Sequence, residues 1–510
     1  MIIDDQIYDV IIVGSGAGGG TLAQQLAPTG KRILVLERGD RMSLEDQNRA
    51  DIDVYKKSRY RSPEQWYDET GEPFSPQANY AVGGNTKIYR ASLMRMRDRD
   101  FEAVTYQDGV TPEWPLKYAD FEPYYTAAEQ LYQVHGDQQA DPTEPFHSGA
   151  YFQGPPPHPP VMAPIAKKIA AAGLHPTTLP VSLTQRRDDP TGDAEVFGID
   201  LALKHPNVIL KTEAKVVALH TGTSGTEIRG VQAEVGDQSY MFTGHLVVLA
   251  CGAVNSAALM LDSANEKHPN GLANGSGLLG RNLMKHLMTV IVDTGAASNK
   301  GTFPPSISVN DFYWGDGDYP YPMGHIENSG GLLQDLIFAE APPILSVVAR
   351  VFPEAGLQQL VKRSIGWWAK TGTLPNPNNR IYWQKDSHFG RQRKKLRYEF
   401  TPNNLEAHDR LVYRWMGVLK SLENSGIGLR SGSLYPRGEA PVQVVGYQCG
   451  TARMGTDPAT SVLDINCRTH QIANLYVVDS SFFPSCPSIG PALTVMANAL
   501  RVGEYIAGQL

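Results

Sequence analysis

The sequence has few cysteines, no metal-binding histidine pattern and no basic cluster, and each absence excludes a class of protein. Only four cysteines occur in 510 residues, and no two are spaced as CxxC. This argues against a disulfide-stapled domain, a structural zinc site and a thioredoxin-like redox pair. The 13 histidines include no HExxH spacing, so no metal site is expected. The net charge is −7 without a basic run, which argues against dedicated nucleic-acid binding.

Long apolar runs are also missing. No stretch of about 18 apolar residues occurs, so no membrane span is expected. The chain begins with MIIDDQIYDVIIVG, which lacks the basic region and the small-residue cleavage site of a signal peptide. Hydrophobic residues make up 41% of the chain and charged residues 19%, a composition typical of folded proteins. These features predict a soluble, cytoplasmic protein of roughly two to four domains.

The first 40 residues have the pattern of a strand, a glycine-rich turn, a helix and a second strand. Residues 8–13 form a short apolar, β-branched run, which is typical of a buried parallel strand. The run GSGAGG over 14–19 follows at once, and residues 21–26 predict a helix. Residues 32–36 predict a second buried strand, which ends at Glu37.

This unit carries a complete dinucleotide-binding fingerprint. Gly14 permits a tight turn, Gly16 lets the backbone approach a pyrophosphate, and Gly19 lets the helix pack close to the strand. The helix N-terminus offers free N–H groups and the positive end of its dipole to the anion. Glu37 lies 18 residues beyond Gly19. Its carboxylate can accept hydrogen bonds from ribose hydroxyls and would repel a 2′-phosphate, which disfavours NADP.

The two ends of the chain share this α/β pattern, whereas the middle has more turns, aromatic residues and charge. Buried strands are predicted within 208–219, 230–249 and 475–478, and a helix is predicted from about Pro491. We therefore expect an α/β fold with a Rossmann-like domain built from discontinuous segments and a second domain inserted between them.

Several blocks of the sequence resemble the glucose–methanol–choline (GMC) oxidoreductases. They are the N-terminal unit through Glu37, VGGNT over 82–86, and the C-terminal run from Cys449 to Arg501. Within that run, GTARMG over 450–455 and NLYVVD over 474–479 look like family signatures. GRNLMKH over 280–286 is similar to another one. The blocks are spread over nearly the whole chain, so the resemblance covers the protein and not one motif.

The resemblance implies an FAD-dependent oxidoreductase that acts on a small or medium organic substrate. Its electron acceptor cannot be read from the sequence. The FAD-binding domain is expected to comprise 1–105, 201–299 and 441–510. A substrate domain, with a mainly antiparallel sheet and helices on one face, is expected to comprise 106–200 and 300–440.

The resemblance also implies roles for individual residues along the cofactor. The glycine turn would hold the pyrophosphate, Glu37 the adenosine ribose, and Asp479 a ribityl or pyrophosphate oxygen. The helix that starts near Pro491 would point its N-terminus at the flavin ring. The residues expected to contact FAD are Gly14, Ser15, Gly16, Ala17, Gly19, Glu37, Arg38, Gly83, Gly84, Asn85, Thr86, Val216, Asp479, Pro491, Ala492 and Leu493. The 79–90 loop has no histidine, which favours noncovalent FAD.

The sequence departs from the family pattern at both catalytic positions. Members usually carry a histidine base three residues before the Gly-Thr pair, and Tyr447 stands there. The usual partner, His or Asn before the proline of the last helix, is replaced by Gly490. Tyrosine has a reference pKa near 10, so it makes a poor base at neutral pH without help from its surroundings.

Three interpretations remain open at this point. Tyr447 could serve a flavin redox reaction as an acid or as a hydrogen-bond donor to a substrate oxygen. Alternatively, FAD could be kept for a net non-redox reaction such as isomerisation, elimination or cyclisation. The third interpretation is a catalytically silent flavoprotein.

Other side chains near these motifs are weaker candidates. Gln448 could hydrogen-bond a substrate, and His286 and His470 are the histidines to test as a replacement base. Cys449 and Cys486 flank the expected site, where packing is the expected role of both thiols.

The segment 337–368 combines apolar residues, two tryptophans and basic residues. Its pattern predicts a long helix over about 344–370. Such a helix could be buried, cover an apolar pocket or lie on a membrane surface. Together with the space left by Gly490, it indicates a hydrophobic or bulky substrate.

Overall fold

The computed structural model describes residues 1–42, 62–138, 140–184, 191–294, 305–331, 364–388, 391–422, 432–434, 440 and 445–510. Its first large sheet confirms the α/β expectation. The strands of this sheet, in spatial order, are Val208–Lys211, Ile33–Leu36, Ile2–Val13, Gln238–Leu249, Ile228–Val235 and Ala214–Thr221, and Leu475–Val477 pairs with Gln238–Leu249.

The parallel part of this sheet brings together segments that are distant in the sequence. Ile2–Val13 pairs in parallel with Ile33–Leu36 on one side and with Gln238–Leu249 on the other. Leu475–Val477 joins the end of Gln238–Leu249 in parallel as well. The carboxyl-terminal parts of these strands are buried because helices cover the sheet there, and the apolar runs read from the sequence are typical of such strands. The carboxyl ends of all four strands therefore meet at one edge, where a ligand binds in folds of this kind.

A second sheet is antiparallel at every pairing, as the resemblance implied. Its strands, in spatial order, are Gly432–Leu434, Leu287–Thr294, Ser364–Thr371, His325–Gly331, Ile307–Val309 and Thr177–Thr178. A smaller sheet contains Arg380–His388, Arg391–Glu399, Trp66–Tyr67 and Pro73–Phe74. The domain boundaries themselves stay a prediction.

Six helices of nine or more residues lie in the described part of the chain. We label them α1 (Ala17–Leu26), α2 (Tyr118–Leu131), α3 (Ala163–Ala171), α4 (Ala253–Asp262), α5 (Leu405–Leu422) and α6 (Ala492–Ala507). Helices α1 and α6 pack together beside the first sheet, and α5 packs on the second sheet. No helix in the described ranges is long and apolar enough to cross a membrane.

The helix predicted over about 344–370 is wrong where the structure describes it. Residues Ser364–Thr371 form a strand in the middle of the second sheet. The dense apolar and aromatic residues that suggested a helix face are those of a strand buried on both sides. The rest of that segment, 332–363, lies outside the described residues.

Alternation along the second sheet separates a helix-covered face from a cavity face. Ile365, Trp367 and Ala369 belong to the apolar core shared with α5. Trp368 and Lys370 point the opposite way and line a cavity. This period of two decides which side chains of the central strands reach the site.

Candidate active site

Among the described residues, a cavity of about 660 Å³ lies between the first sheet and the second. One end is bordered by Glu37 and Val216 and the other by Tyr447 and Gly490. A volume of this size falls in the range typical of cofactor sites. Most of the residues expected to contact FAD line the cavity, and the exceptions are Gly19, Gly83 and Leu493.

The glycine turn forms a cradle that side chains could not share. A Cβ atom at Gly14 would lie 2.5 Å from the carbonyl oxygen of Ala250, and the residue has a φ of +98°. A Cβ atom at Gly84 would lie 3.2 Å from the Cα atom of Gly16, so the two backbones face each other closely. A Cβ atom at Gly19 would lie 1.9 Å from the oxygen of Gly14, which explains the close helix–strand packing.

The N-terminus of α1 opens into this cradle. Its N-cap is Gly16, which provides no side-chain hydrogen bond to the first turn. Gly16, Ala17 and Gly18 line the cavity. Helix N–H groups without a side-chain cap are suited to an anion, so this part of the cavity fits the pyrophosphate of a dinucleotide.

Ser15 connects Glu37, the predicted ribose-binding residue, to the glycine loop over 82–86 through hydrogen bonds. Its N–H and hydroxyl both donate to Oε2 of Glu37, at 3.0 and 2.7 Å. The same hydroxyl accepts a hydrogen bond from the N–H of Gly83 at 3.1 Å. Burial raises the pKa of Glu37, while hydrogen bonds from Gly39 and Ser15 act to lower it. The carboxylate is thus held in one position at the cavity wall.

Glu64 and Tyr80, at the same end of the cavity, were not predicted from the sequence. The Arg38 guanidinium stacks 3.6 Å from the centre of the Tyr80 ring and forms an ion pair with Glu64. Tyr80 also donates a hydrogen bond to Glu64 at 2.8 Å. Burial raises the pKa of Tyr80 to about 12, so its hydroxyl stays a donor. Only the three-dimensional structure brings Glu64 to Arg38, because no local motif links them.

Asp479 organises the turn before α4. Its Oδ2 accepts hydrogen bonds from the N–H of Gly252, at 3.1 Å, and from the hydroxyl of Ser256. Its Oδ1 accepts from the N–H of Ser481 at 3.0 Å. Burial raises the pKa of Asp479 against these hydrogen bonds. The carboxylate borders the cavity beside the glycine cradle.

A second helix N-terminus faces the far end of the cavity. Helix α6 has Pro491 as its N-cap, which provides no side-chain hydrogen bond. Pro491, Ala492 and Val495 line the cavity next to Tyr447. The positive end of this helix dipole stabilises negative charge at that place.

The Tyr447 ring lies close over Gly490. A Cβ atom at Gly490 would lie only 3.2 Å from Cε1 of the Tyr447 ring. Both residues border the cavity. The two departures from the family pattern are therefore neighbours in the structure, and a side chain at 490 would crowd the ring at 447.

Three further polar residues, which sequence reasoning missed, stand beside Tyr447. The Lys370 ammonium lies 4.9 Å from the centre of the Tyr447 ring and forms an ion pair with Glu327. Glu327 in turn lies 2.9 Å from Nε2 of His325. Lys370 and Glu327 line the cavity. The strand sequence HIENSGG over 325–331, with polar residues at alternate positions, was the signal that could have revealed them.

Electrostatics fixes the ionisation of the Lys370–Glu327 pair. Burial alone would lower the pKa of Lys370, but Glu327 and Tyr447 outweigh it and raise the pKa. Burial would raise the pKa of Glu327, but Lys370 and His325 hold it well below its usual range. Both groups are charged at neutral pH.

The weaker sequence candidates Gln448, His286 and His470 do not line the cavity. Gln448 donates to the carbonyl oxygen of Val445 at 3.1 Å and does not line the cavity. His286 lies against the Tyr447 ring, with 4.9 Å between ring centres, and its Nε2–H donates to the carbonyl oxygen of Pro487. His470 bonds Ser461 at 2.8 Å, away from the cavity.

The two cysteines near the site lie behind Tyr447. Cys449 and Cys486 share a small void with His286 and Tyr447 and do not line the cavity. Burial raises the pKa of Cys449, and the hydrogen bond between the two thiols lowers the pKa of Cys486.

Comparison with known families identifies the chain over most of its length. The N-terminal GMC oxidoreductase profile matches residues 8–288, and the C-terminal profile matches residues 375–499. Two solved structures share the fold. Pyridoxine 4-oxidase from Mesorbium loti has a TM-score of 0.67 and 17% identity, over 98% of this chain and 99% of that one. Formate oxidase from Aspergillus oryzae RIB40 has a TM-score of 0.71 and 15% identity, over 99% of both chains.

Curated relatives align over almost the whole chain. The 6‴-hydroxyparomomycin C oxidase of Streptomyces lividus is 29% identical over 99% of this chain and 92% of its own. The paromamine 6′-oxidase of Streptomyces fradiae is 27% identical with the same coverage. The 2-methyl-1,2-propanediol dehydrogenase of Mycolicibacterium austroafricanum is 25% identical over 98% of this chain and 95% of its own. With family profiles matching more than half of its residues, the chain belongs to the GMC oxidoreductases, a family of FAD-dependent enzymes that act on organic substrates.

Proposed function

We propose that the protein oxidises a hydroxyl group of a polar organic molecule to a carbonyl, at the cavity end bordered by Tyr447. The observation that carries this proposal is the continuity of the cavity, from the glycine cradle to Tyr447. When bound, FAD supplies the acceptor for the hydride of the substrate carbon. The protein supplies the binding groups and the place for the hydroxyl proton.

The wall in front of Tyr447 favours a polar substrate over a purely apolar one. It contains Glu327, Lys370, Arg90 and Ser329 beside the apolar Met288. The earlier indication of a hydrophobic substrate rested on a predicted helix, which is a strand in its described part, and on the space left by Gly490, which the Tyr447 ring adjoins. Charged groups of this kind can recognise hydroxyl and amino groups. The names of two relatives, paromamine 6′-oxidase and 6‴-hydroxyparomomycin C oxidase, support the same substrate class.

FAD is proposed to bind noncovalently through the residues predicted from the sequence. No histidine borders the cavity among the described residues. Cys251 does border it, but its thiol donates to the carbonyl oxygen of Val13 at 3.4 Å. Burial raises the pKa of Cys251 to about 12, which keeps the thiol from attacking a cofactor.

Tyr447 is proposed to contact the substrate oxygen, while Gln448 has no contact with the cavity to support a role. The cytoplasmic location and contact with a membrane surface stay predictions of the sequence. The electron acceptor is not identified.

The test is anaerobic mixing of the purified yellow protein with a panel of alcohols. Paromamine, 2-methyl-1,2-propanediol and a long-chain alcohol represent the substrates named for relatives. Bleaching of the flavin by a polar alcohol, and release of FAD on heating, are the expected results. Product without bleaching would instead support the non-redox alternative, and neither product nor bleaching the silent flavoprotein.

A further inference from the structure

The polar residues beside Tyr447 form a chain of contacts that leads away from the cavity. Lys370 touches Tyr447 and pairs with Oε1 of Glu327. Oε2 of Glu327 lies 2.9 Å from Nε2 of His325, and Nδ1 of His325 lies 2.7 Å from Oδ1 of Asn310. His325 and Lys370 are direct partners on neighbouring antiparallel strands, which explains their proximity.

The direction of the hydrogen bonds can be worked out from the far end of this chain. Arg97 donates to Asp141 at 2.6 Å. Burial would raise the pKa of Asp141, but Arg97 and Thr143 outweigh it and lower the pKa, so the carboxylate only accepts. The Asn310 amide therefore points its NH₂ group at Asp141 and its oxygen at His325. Because an amide oxygen only accepts, Nδ1 of His325 carries a hydrogen.

The contact between Nε2 of His325 and Oε2 of Glu327 then requires an additional proton. With a hydrogen on Nδ1, a neutral His325 presents a bare lone pair at Nε2. That lone pair would face the ionised Glu327 carboxylate at 2.9 Å, which is repulsive. A proton must lie between Nε2 and Oε2. Burial lowers the pKa of His325, and Lys370 helps to lower that of Glu327, so neither group holds this proton tightly by itself.

With this additional proton, the three residues Lys370, His325 and Glu327 together carry one positive charge. Lys370 is charged, and the His325–Glu327 pair with its shared proton is neutral overall. A buried net charge is costly unless a counter-charge lies beside it. Among the groups that touch Lys370, the Tyr447 hydroxyl is the one that can lose a proton and provide that counter-charge.

We propose that Tyr447, Lys370, Glu327 and His325 form a proton relay in which the Tyr447 oxygen takes the hydroxyl proton of the substrate. Lys370 stabilises the negative charge on that oxygen, and the His325–Glu327 hydrogen bond holds the proton that Tyr447 has released. The proposal rests on the proposed function. In the step, the substrate O–H bond breaks and its proton joins the Tyr447 oxygen. Bound FAD would accept the C–H hydrogen as hydride with its electron pair, and a C=O bond would form.

The relay replaces the missing imidazole by a group of four residues. Tyr447 is the catalytic residue because it meets the substrate, and the others position charge and protons. The other titratable groups around Tyr447 are His286, Cys449 and Cys486 behind the ring, and Arg90 across the cavity. Behind His325 lies Arg97, whose positive charge is paired with the carboxylates of Asp141 and Glu144.

The first test measures the protonation of Tyr447 in the absence of substrate. The near-ultraviolet tyrosinate band is recorded against pH for wild type and for Tyr447→Phe, and the difference isolates residue 447. In Lys370→Met and in His325→Gln, the signal of residue 447 should move to higher pH than in wild type, and Lys370→Arg should restore it. An unchanged signal in both Lys370→Met and His325→Gln would overturn the relay.

The second test follows the rate of flavin reduction against pH. Lys370→Met should slow reduction at neutral pH by about 10²-fold, with a rate that rises about tenfold per pH unit. His325→Gln should slow it about tenfold with the same rise. The matched control is His408→Gln, a buried histidine held by Thr289 and Thr371 on the other face of the sheet. Its pH profile should stay that of wild type.

The outcomes separate the two proposals. A tyrosinate signal in a protein whose flavin no alcohol reduces would support the relay and refute the proposed function. Alcohol oxidation with wild-type pH profiles in both Lys370→Met and His325→Gln would overturn the relay and leave the function standing. Should Lys370→Met fail to fold, His325→Gln carries both readouts.

Discussion

The two ends of the cavity are built from the chain in different ways. The proposed cofactor end is built around one continuous segment, 14–37, in which a glycine turn, a helix start and a carboxylate follow each other. Residues from elsewhere in the chain, such as Gly84 and Asp479, complete it. The substrate end uses strands 325–331 and 364–371, together with Tyr447 and Gly490, which are far apart in sequence. The first end depends on backbone shape and the second on side-chain charge. Substitutions at the first end should therefore impair FAD binding, whereas substitutions at the second end should slow the reaction.

The largest effect is expected for Gly14→Ala at the cofactor end. The added Cβ would meet the carbonyl of Ala250 at 2.5 Å in a backbone conformation with φ of +98°. We expect a colourless protein with a strongly lowered melting temperature. The matched control is Gly30→Ala, which has φ of +72° and open space around the added Cβ. This control variant should lower the free energy of unfolding by about 1 kcal/mol and still bind its flavin. Equal flavin content in both variants would contradict this account of the cradle.

At the substrate end, Tyr447→Phe should still bind FAD, but its flavin should be reduced more slowly by the substrate. The variant removes one hydroxyl and leaves the ring over Gly490. Flavin reduction by a saturating alcohol should slow by about 10²-fold or more, as for loss of an acid–base group. Rapid-mixing absorbance measures the rate, and the flavin spectrum before mixing measures cofactor content. Full activity would show that the hydroxyl takes no part.

A smaller effect should follow from Gly490→Asn. The new Cβ would lie 3.2 Å from Cε1 of Tyr447, so the ring must move. We expect about tenfold slower flavin reduction, because the hydroxyl leaves its position beside Lys370. The double variant Tyr447→His with Gly490→Asn removes the ring and restores the side chains usual in the family. It should oxidise alcohols faster than Gly490→Asn alone, and a slower double variant would refute the steric explanation.

The smallest effect concerns Glu64, which holds Arg38 over Tyr80 at the adenine end. Its pKa falls from 4.5 to about 2 through Arg38 and Tyr80, against the opposing effect of burial. Because the folded-state pKa is depressed, this stabilisation is present above pH 4.5 and is lost as the pH falls toward 2. Glu64→Gln should lower the melting temperature slightly at neutral pH and not near pH 2. A difference in melting temperature that stays the same at both pH values would show that the ion pair does not stabilise the protein.

The spacing of Gly14, Gly16 and Glu37 around one turn predicted that these residues would lie together, and all three line the cavity. Glu64 and Tyr80 at the same end were not predicted, because no local motif links them to Arg38. Lys370 could not be assigned, because its strand was taken for part of a helix. Glu327 and His325 become partners of Lys370 only through the register of two antiparallel strands. Such a register depends on tertiary packing, which no local pattern encodes.

The relation between Tyr447 and Gly490 was half visible in the sequence. Both departures from the family pattern were apparent, but they looked like two separate losses. The structure shows that the two positions are in contact, because a Cβ atom at Gly490 would lie 3.2 Å from Cε1 of the Tyr447 ring.

The most direct test of the central claim is anaerobic flavin reduction by a polar alcohol and by the same alcohol deuterated at the carbinol carbon, in wild type and in Tyr447→Phe. We predict that wild type is bleached, that deuteration slows the bleaching, and that Tyr447→Phe is slower by about 10²-fold with its flavin still bound. Equal rates in the two proteins would contradict the claim that Tyr447 handles the hydroxyl proton of the substrate.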